Sequence, residues 1–356
     1  MRNAILINIG LAAGSVFGCL LLIEFGLRVT GLQTIAPNPP KIYEASANPD
    51  ISYKLKPNLQ NQKAYKASVS TDANGFRLNG TQSPITDYQS PLIAVLGDSI
   101  AFGYGINDNE TLAAQLEMVH SSLRNFQFSP KGLPSVAIFN FQFINAAVPG
   151  YQLQQEIALY KEKVAPLAPD GVIVVFFWND LDGFLPGMLD AEGILRPNGW
   201  EPTDDHCQPI TEGMMGLIPG KCWLDTHSAV YKVMKKLIDL KQSKLGQIKE
   251  REEARQQEAD PATPEKLAAY EKDLQHVARE LPPKRWLVIW PDNFLHVQAR
   301  AELRRMGEQQ GFQVIDLYEK FGNQVETLSW DTVHPSAESI KKAAEFIKGR
   351  LGEIEN

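Results

Sequence analysis

The chain has 356 residues, a net charge of −7 and 22% charged residues, a composition that is ordinary for one large globular domain with appendages. This acidic balance argues against nucleic acid as a partner, because phosphate binding needs clustered Lys and Arg. The sequence contains no GxxxxGK[ST] loop, no HExxH helix and no Cys-x-x-Cys pair. We therefore expect no nucleotide, no metal and no other cofactor.

A long apolar segment opens the chain, from Ala4 to Ile23, with Asn8 as its one strongly polar residue. As a helix it would be roughly 30 Å long, about the thickness of the hydrocarbon core of a bilayer. It is longer than the usual signal-peptide core and no clear small-x-small cleavage site follows, so an uncleaved anchor over residues 1–30 is favoured over a cleaved signal peptide. Cys19 also suggests a lipoprotein, but the bulky Phe17 and the apolar residues after the cysteine disfavour that interpretation.

Residues 31–90 are predicted to hold a linker and an accessory hairpin. The segment Pro37 to Pro40 is typical of a stiff linker without helix potential. Asn74-Gly75 predicts a hairpin turn, and we expect Val69 to Arg77 to form an edge element beside the domain that follows. Two roles stay open for this element: it shapes a substrate cleft, or it is a plain hairpin.

The most informative feature is Gly97-Asp98-Ser99, at the end of the apolar run Leu92 to Leu96. Such a run predicts a strand that is buried on both faces, and glycine permits a sharp turn after it. In open α/β sheets the chemistry lies outside the carboxyl ends of the strands, where a serine can present its Oγ to a cleft. Capping of the next helix is the alternative role, since Ser and Asp both favour that position.

Two more candidate groups follow predicted strands. Gly150 comes after the strand Phe141 to Asn145, and Asn179 comes after the apolar run Val172 to Phe177. A glycine N–H and an asparagine amide are both good donors to a developing oxyanion. Because the carboxyl ends of parallel strands share one rim of the sheet, we expect both groups to meet Ser99 there.

A large insertion runs from about Gly183 to Lys284. Cys207 and Cys222 in its first half would form a disulfide in an oxidising compartment and would stay unpaired thiols in the cytosol; the anchor favours the disulfide. A helix then starts near Ser228, and a second one opens at Thr263-Pro264, a cap followed by proline at the first helical position. This helical hairpin is either a lid or docking arm, or a surface elaboration that packs on the core. The apolar stripe of its first helix consists of Val230, Val233, Met234, Leu237, Ile238 and Leu245.

The sheet resumes with the strand Trp286 to Trp290, a helix from about Leu295 to Gln310 and a last strand, Val314 to Leu317. Strands alternating with helices predict a parallel sheet with helices on both faces. About five strands fit, in a three-layer, flavodoxin-like α/β sandwich. A helix from Ser336 to Leu351 closes the domain.

The last motif lies just ahead of that helix, where Asp331 and His334 are three positions apart. Nucleophilic serine catalysis needs a base that takes the hydroxyl proton and a carboxylate that holds the base in one tautomer. Together with Ser99, these two residues would provide all three groups.

The chain resembles the SGNH hydrolases, also called the GDSL esterase/lipase family, in their membrane-anchored bacterial type. The four blocks of that family are matched in order by Ser99, Gly150, Asn179 and His334. The resemblance implies that Ser99 is the nucleophile, His334 the general base and Asp331 the residue that orients it. It implies an oxyanion hole built from the backbone N–H groups of Ser99 and Gly150 and the side-chain amide of Asn179.

The resemblance covers residues of about 90–180 and 285–350, and it implies an SGNH hydrolase domain over 91–356 that contains the insertion at about 183–284. The third block departs from the pattern of the family, which usually reads Gly-x-Asn-Asp. In this chain Phe177 stands at the position of that glycine.

The resemblance implies a serine esterase without cofactor. We expect acetyl or short acyl esters on an envelope carbohydrate as substrate; lipid esters are another option, because the anchor would hold the site near a membrane. An O-acyltransferase of polysaccharide modification uses the same serine chemistry with a sugar hydroxyl as acceptor, and a non-catalytic scaffold or binding protein is a further alternative. The anchor and the disulfide predict a single-pass protein of the cytoplasmic membrane whose catalytic domain faces the periplasm or the cell exterior.

Overall fold

The computed structural model describes residues 2–30, 40–80, 91–122, 141–191, 193–199, 218–254 and 262–351. The chain divides into two compact units, Met1–Asn38 with Trp200–Gly246, and Pro39–Gly199 with Gln247–Asn356. In chain order the described elements are α1 (Arg2–Thr30), β1 (Tyr43–Ala45), β2 (Tyr53–Leu55), β3 (Gln62–Ala64), β4 (Ala67–Val69), β5 (Leu92–Gly97), α2 (Ser99–Phe102), α3 (Leu112–Ser122), β6 (Gln142–Asn145), α4 (Leu153–Leu159), β7 (Gly171–Phe176), β8 (Gly187–Leu189), β9 (Leu195–Pro197), α5 (Lys221–His227), α6 (Ala229–Ala254), α7 (Pro264–Ala278), β10 (Lys284–Ile289), α8 (Val297–Gln309), β11 (Gln313–Asp316), α9 (Tyr318–Phe321) and α10 (Ala337–Leu351).

The first unit contains α1, a helix in which the segment Gly10–Thr30 is long and apolar enough to cross a membrane. A signal sequence would satisfy the same criteria of length and composition. The unit also contains α5 and the first part of α6.

The second unit is built on five parallel strands in the order β11-β10-β7-β5-β6. The first and third of these strands in the chain, β5 and β7, are neighbours and lie inside the sheet, where all six residues of each are buried. Strands covered on both faces need continuous apolar runs, which explains why both were recognisable in the sequence. The strand order is that of a flavodoxin-like sheet.

Helices cover both faces of this sheet. On one face Val95 and Val175 pack in a cluster with the apolar residues of α3 and α10, such as Ile340. On the other face the alternate residues of the strands, such as Val174, pack with α4, α7 and α8, including Leu303. The predicted three-layer α/β sandwich is confirmed.

The segment before β5 forms small antiparallel pairs, β1 with β2 and β3 with β4, followed by a turn at residues 72–76. At the turn Gly75 has a φ of +82°, and a Cβ there would lie 2.7 Å from the carbonyl oxygen of Leu55, so glycine is required. Directly after the turn Arg77 bridges to Asn145 on the edge strand β6. The segment thus reaches the edge of the sheet, as expected for Val69 to Arg77.

The described part of the insertion contains a short hairpin, β8 with β9, and the helices α5, α6 and α7. Thr263 caps α7 by accepting a hydrogen bond from the backbone N–H of Lys266, with Pro264 as the first helical residue, as the sequence predicts. Cys207 and the side chain of Cys222 lie outside the described residues, so the disulfide stays a prediction. Cys19 is a free, exposed cysteine on α1.

Candidate active site

Ser99 is the first residue of α2 and follows the turn at the end of β5. Asp98 is the residue that caps this helix, since its carboxylate accepts a 2.8 Å hydrogen bond from the backbone N–H of Ile100. The turn requires Gly97, which has a φ of +151° and whose Cβ would lie 2.6 Å from Cβ of Ala101. The capping role is thus filled by the neighbouring aspartate, and the Ser99 hydroxyl faces other side chains.

Three side chains form a continuous series of polar contacts. Ser99 Oγ lies 3.0 Å from His334 Nε2, and His334 Nδ1 lies 3.0 Å from Asp331 Oδ2. The other carboxylate oxygen of Asp331 accepts hydrogen bonds from the backbone N–H groups of Val333 and His334, at 2.7 and 2.8 Å. The structure therefore brings together residues that are 235 positions apart in the chain.

The environment of Asp331 keeps its carboxylate ionised. Burial alone would raise its pKa, but the hydrogen bonds and the charge of His334, together with the backbone N–H groups, lower the pKa to about 2. An ionised carboxylate on Nδ1 fixes the histidine tautomer that leaves Nε2 free to accept a proton from Ser99.

Tyr104 is a site residue that the sequence did not reveal. Its ring stacks on the His334 imidazole, with centroids 3.8 Å apart and an interplanar angle of 17°. Its backbone N–H donates a 3.0 Å hydrogen bond to the carbonyl oxygen of Ser99, and Trp330 packs against its ring at 5.8 Å. Tyr104 therefore connects the two parts of the site: its backbone is bonded to Ser99, and its ring packs on the imidazole of His334. An aromatic residue five positions after the serine was the one available signal.

Asn179 lies beside the turn of the serine. It belongs to a single turn of 3-10 helix, Trp178–Asp182, after β7, and its Nδ2 donates a 3.0 Å hydrogen bond to Asp98 Oδ2. The same oxygen lies 3.3 Å from Ser99 Oγ. An amide nitrogen carries two hydrogens, so one N–H of Asn179 remains for a ligand at the serine.

Gly150 lies in an exposed turn after β6 and has a φ of +82°. This turn is connected to the turn of the serine, because the backbone N–H of Val148 donates to the carbonyl oxygen of Gly97 at 3.1 Å. The accessory segment also supports it: the Tyr53 hydroxyl donates to the carbonyl oxygen of Pro149 at 2.8 Å. A Cβ on Gly150 would lie 2.7 Å from that hydroxyl, so a larger residue does not fit.

Tyr151 and Trp178 are the neighbours in sequence of Gly150 and Asn179, and both pack against other side chains. Tyr151 is fully buried, and its hydroxyl donates to the carbonyl oxygen of Tyr53. Trp178 stacks on His296 with ring centroids 3.4 Å apart, and His296 Nε2 lies 3.1 Å from the carboxylate of Asp292. The stack of Trp178 on His296 fixes the segment that carries Asn179.

Arg77 organises the chain after the serine from inside the protein. Its side chain is 0% exposed and donates to the carbonyl oxygens of Phe102, Gly103 and Ile106, at 2.9, 2.7 and 2.6 Å. Asp108 pairs with it at 3.0 Å. The sequence placed Arg77 in the accessory hairpin but gave no sign that its guanidinium is buried under α2.

Three buried carboxyl groups, those of Asp98, Glu156 and Asp180, form an electrostatically connected cluster behind the serine. Burial, and then the charge of Asp98, raises the pKa of Glu156 far above its usual range. Burial, followed by the charges of Glu156 and Asp98, does the same to the pKa of Asp180, whose carboxylate accepts a 3.0 Å hydrogen bond from the backbone N–H of Phe177. Among the described residues neither oxygen of Glu156 has a hydrogen-bond partner. A neutral, protonated Glu156 is therefore the stable form.

In the part of the chain that the structure describes, no group of three or more His, Cys, Asp or Glu residues is arranged so that it could hold a metal ion.

Glu156→Gln is expected to flatten the dependence of stability on pH. Above the unfolded-state pKa of about 4.3 the unfolded chain releases the proton that folded Glu156 keeps, so the free energy of unfolding falls by up to about 1.4 kcal/mol per pH unit. Glutamine has no such proton, so the variant should lose this contribution. Urea unfolding in mild detergent between pH 5 and pH 8 would measure it.

Glu162→Gln, which changes an exposed carboxylate just beyond α4, is the matched control and should leave the slope unchanged. Parallel stability curves for the parent and Glu156→Gln would contradict a protonated Glu156.

No protein-family model matches the sequence, and no curated protein matches it either. Among solved structures the chain is similar to LAE5, an alpha/beta hydrolase enzyme from the metagenome of Lake Arreo, Spain, with 14% identity over 74% of this chain and 95% of that chain and a TM-score of 0.38. It is similar to a single-residue variant of Axe2, an acetyl xylan esterase from Geobacillus stearothermophilus, with 14% identity, coverages of 74% and 94% and a TM-score of 0.39. The lipase/acylhydrolase from Enterococcus faecalis gives 14% identity, coverages of 73% and 95% and a TM-score of 0.40. At these identities the likeness concerns the fold alone.

Proposed function

We propose that the chain is a serine ester hydrolase of the SGNH, or GDSL, type. The observation that carries this proposal is the series of contacts from Ser99 Oγ to His334 Nε2 and from His334 Nδ1 to Asp331, each 3.0 Å long. A nucleophile hydrogen-bonded to a base, which is itself oriented by a carboxylate, is the arrangement that activates a serine. The three residues lie at the rim of a parallel sheet, where α/β proteins carry their chemistry.

In the proposed mechanism Ser99 Oγ attacks the ester carbonyl while His334 Nε2 takes its proton. The tetrahedral intermediate collapses as the alcohol leaves with the proton from His334. Water then attacks the acyl group on Ser99, again with His334 as base, and the acid leaves as Ser99 regains its proton. Asp331 stabilises the imidazolium in both halves of the reaction, and the stack of Tyr104 on the imidazole keeps the ring in line.

The proposed oxyanion hole consists of the backbone N–H groups of Ser99 and Gly150 and the free N–H of the Asn179 amide. Such a donor is typically worth about 3 kcal/mol in the transition state. The bond from Asn179 to Asp98 supports this role, because it holds the amide next to Ser99 before substrate arrives.

The proposed substrate is an acetyl or short acyl ester on an envelope carbohydrate. The length and apolar character of α1 support a single-pass anchor in the cytoplasmic membrane. In the proposed topology the catalytic unit faces the periplasm or the cell exterior, where such esters occur and where Cys207 and Cys222 would pair.

The test uses the full-length protein in mild detergent. A fluorophosphonate should phosphonylate Ser99, located by peptide mass, and p-nitrophenyl esters should be cleaved fastest at short acyl length. His334→Ala should abolish both reactions, whereas His276→Ala, at an exposed histidine of α7, should keep them. If the parent protein is neither labelled nor able to cleave these esters, the alternative function, a non-catalytic scaffold or binding protein, would be supported instead.

A second assay asks whether the acyl group passes to water or to a sugar hydroxyl, with an acetylated oligosaccharide as donor and a free oligosaccharide as added acceptor. Accumulation of free acetate identifies a hydrolase. Acetyl transfer to an added oligosaccharide that outpaces release of acetate would establish the O-acyltransferase instead. Faster cleavage of long-chain lipid esters would contradict the carbohydrate substrate.

A further inference from the structure

The membrane-length helix is joined to the insertion by Glu24, which comes directly after the apolar segment that ends at Ile23. The carboxylate of Glu24 accepts hydrogen bonds from the backbone N–H groups of Ala229 and Val230, at 2.8 and 3.0 Å, and from the hydroxyl of Ser228, at 3.1 Å. These N–H groups belong to the first turn of α6, where backbone N–H groups have no hydrogen-bond acceptor within the helix. A carboxylate there is also favoured by the helix dipole.

Arg28, one turn further along α1, strengthens this junction. Its guanidinium pairs with Glu24 at 2.6 Å and also donates to the carbonyl oxygen of His227, the last residue of α5. Two charged side chains of α1 thus hold the point where α5 ends and α6 begins. Glu24 and Arg28 are the two charged residues of the membrane-length segment Gly10–Thr30, and both lie among its last seven residues. In an anchored protein this point therefore lies near the boundary of the hydrocarbon core.

The helix that starts at this junction exposes apolar side chains on one face. Met234, Leu237 and Leu245 are exposed to 50%, 56% and 56%, and their spacing of three and eight positions puts them on one side of α6. Trp223 on α5 is 63% exposed. Single exposed apolar residues are ordinary, but a stripe of them on a helix next to a membrane anchor points to an apolar environment.

The charges of α6 complement a bilayer surface. Up to Gly246 the helix contains one acidic residue, Asp239, and the lysines Lys232, Lys235, Lys236, Lys241 and Lys244. This local excess of positive charge contrasts with the net charge of −7 of the whole chain. Lys232, Lys235 and Lys236 lie on the side of α6 away from the stripe, whereas Lys241 lies within it, four positions from both Leu237 and Leu245, and Lys244 lies at its border. A helix that combines exposed apolar residues with this many lysines is typical of segments that lie in the interface of membranes with anionic lipids. Lysines beside the apolar stripe can extend their ammonium groups to the headgroups.

We propose that α6 lies on the membrane surface beside the end of α1, with Trp223, Met234, Leu237 and Leu245 inserted at the boundary of headgroups and acyl chains. The occupant of the apolar face is lipid, because the bonds of Glu24 hold the start of α6 at the level where the membrane span ends. This inference rests on the proposed anchor and is independent of the proposed ester chemistry. It gives the insertion a role as a second attachment to the bilayer.

The test places an NBD fluorophore on single cysteines of the full-length protein, with the native cysteines replaced by alanine, in vesicles of phosphatidylcholine and phosphatidylglycerol. Leu237→Cys reports on the apolar face of α6, and Leu21→Cys reports on the span of α1. Lys232→Cys is the matched control, roughly 140° around the helix from Leu237. With spin-labelled lipids as quenchers, we expect quenching at positions 237 and 21 to be at least threefold stronger than at 232. Glu24→Ala should weaken quenching at 237 and leave it unchanged at 21.

Each contrary outcome has its own meaning. Equal quenching at positions 237 and 232, with strong quenching at 21, would overturn the inference and leave the anchor. A label at 237 that is shielded from aqueous iodide but not quenched by lipid would mean that protein, a second copy or another partner, covers this face. A label at 21 without quenching would refute the anchor and the inference with it. Ester hydrolysis, measured on the same samples, tests the proposed function separately.

Discussion

Ser99→Ala is expected to lower kcat for p-nitrophenyl acetate by roughly 10⁶-fold, the loss seen when a catalytic serine is removed from a complete triad. The variant keeps His334, Asp331 and the oxyanion donors, but it has no atom that can form the acyl intermediate. Folding should be unaffected, because the cap of α2 is the Asp98 carboxylate and the Ser99 hydroxyl is not part of it. Steady-state hydrolysis with the full-length protein in detergent measures the loss.

Ser68→Ala is the matched control, since the hydroxyl of this half-buried serine bonds to Asn61 and has no contact with the site. It should retain full activity. Ser99→Ala and His334→Ala should not be additive, because each removes the same nucleophilic step. A double variant that is much slower than either single variant, or a Ser99→Ala variant with near-parental kcat, would contradict the triad.

The sequence was sufficient for the sheet and for the positions of the polar groups that follow its strands. The run Leu92 to Leu96 is apolar throughout because β5 is covered on both faces. Such a run can be recognised in the sequence without knowing which helices pack against the strand. Ser99, Asn179 and Gly150 were located because each follows such a run. Asn179 and Ser99 both contact Asp98 because the carboxyl ends of parallel strands share one rim of the sheet.

The residues that hold the site in place could not be found in this way. Tyr104 and Arg77 each act through a contact with a distant segment, and neither lies in a periodic pattern that marks it. An arginine directly after a hairpin turn has the sequence context of an exposed residue; its burial depends on backbone carbonyls of the segment after α2. Glu156 on α4 likewise has an ordinary helical position, and only the fold reveals that its carboxyl group is buried near two others. The short strands β8 and β9 have three residues each, too few for a pattern.

Arg77→Met is expected to lower the free energy of unfolding by about 3–5 kcal/mol, the range measured when one partner of a buried ion pair is removed. The loss has two parts: Asp108 stays with an unpaired charge, and the carbonyl oxygens of Phe102, Gly103 and Ile106 lose the hydrogen bonds from Arg77. Longer bonds remain for two of them, from Asn145 Nδ2 to Phe102 at 3.3 Å and from the Ile106 N–H to Gly103 at 3.4 Å. Methionine has a comparable length and preserves part of the packing, so the change reports mainly on polar contacts. Urea unfolding followed by tryptophan fluorescence, with an unchanged m value, measures the loss.

The matched control is Arg305→Met, which removes an arginine of α8 from an exposed ion pair with Glu302 and should cost at most about 1 kcal/mol. A second variant, Arg77→Met with Asp108→Leu, separates the two parts of the loss. It removes the unpaired charge and should recover stability. The carbonyl oxygen of Ile106 still lacks the Arg77 donor, and those of Phe102 and Gly103 keep only their longer bonds from Asn145 and Ile106, so the recovery should be partial. Because those carbonyls belong to the segment directly after Ser99, we expect Arg77→Met to lower kcat as well, and kcat should stay low in the double variant even where it is fully folded. Full recovery of both stability and kcat would mean that the buried charge pair alone matters, and that Arg77 has no part in positioning the serine.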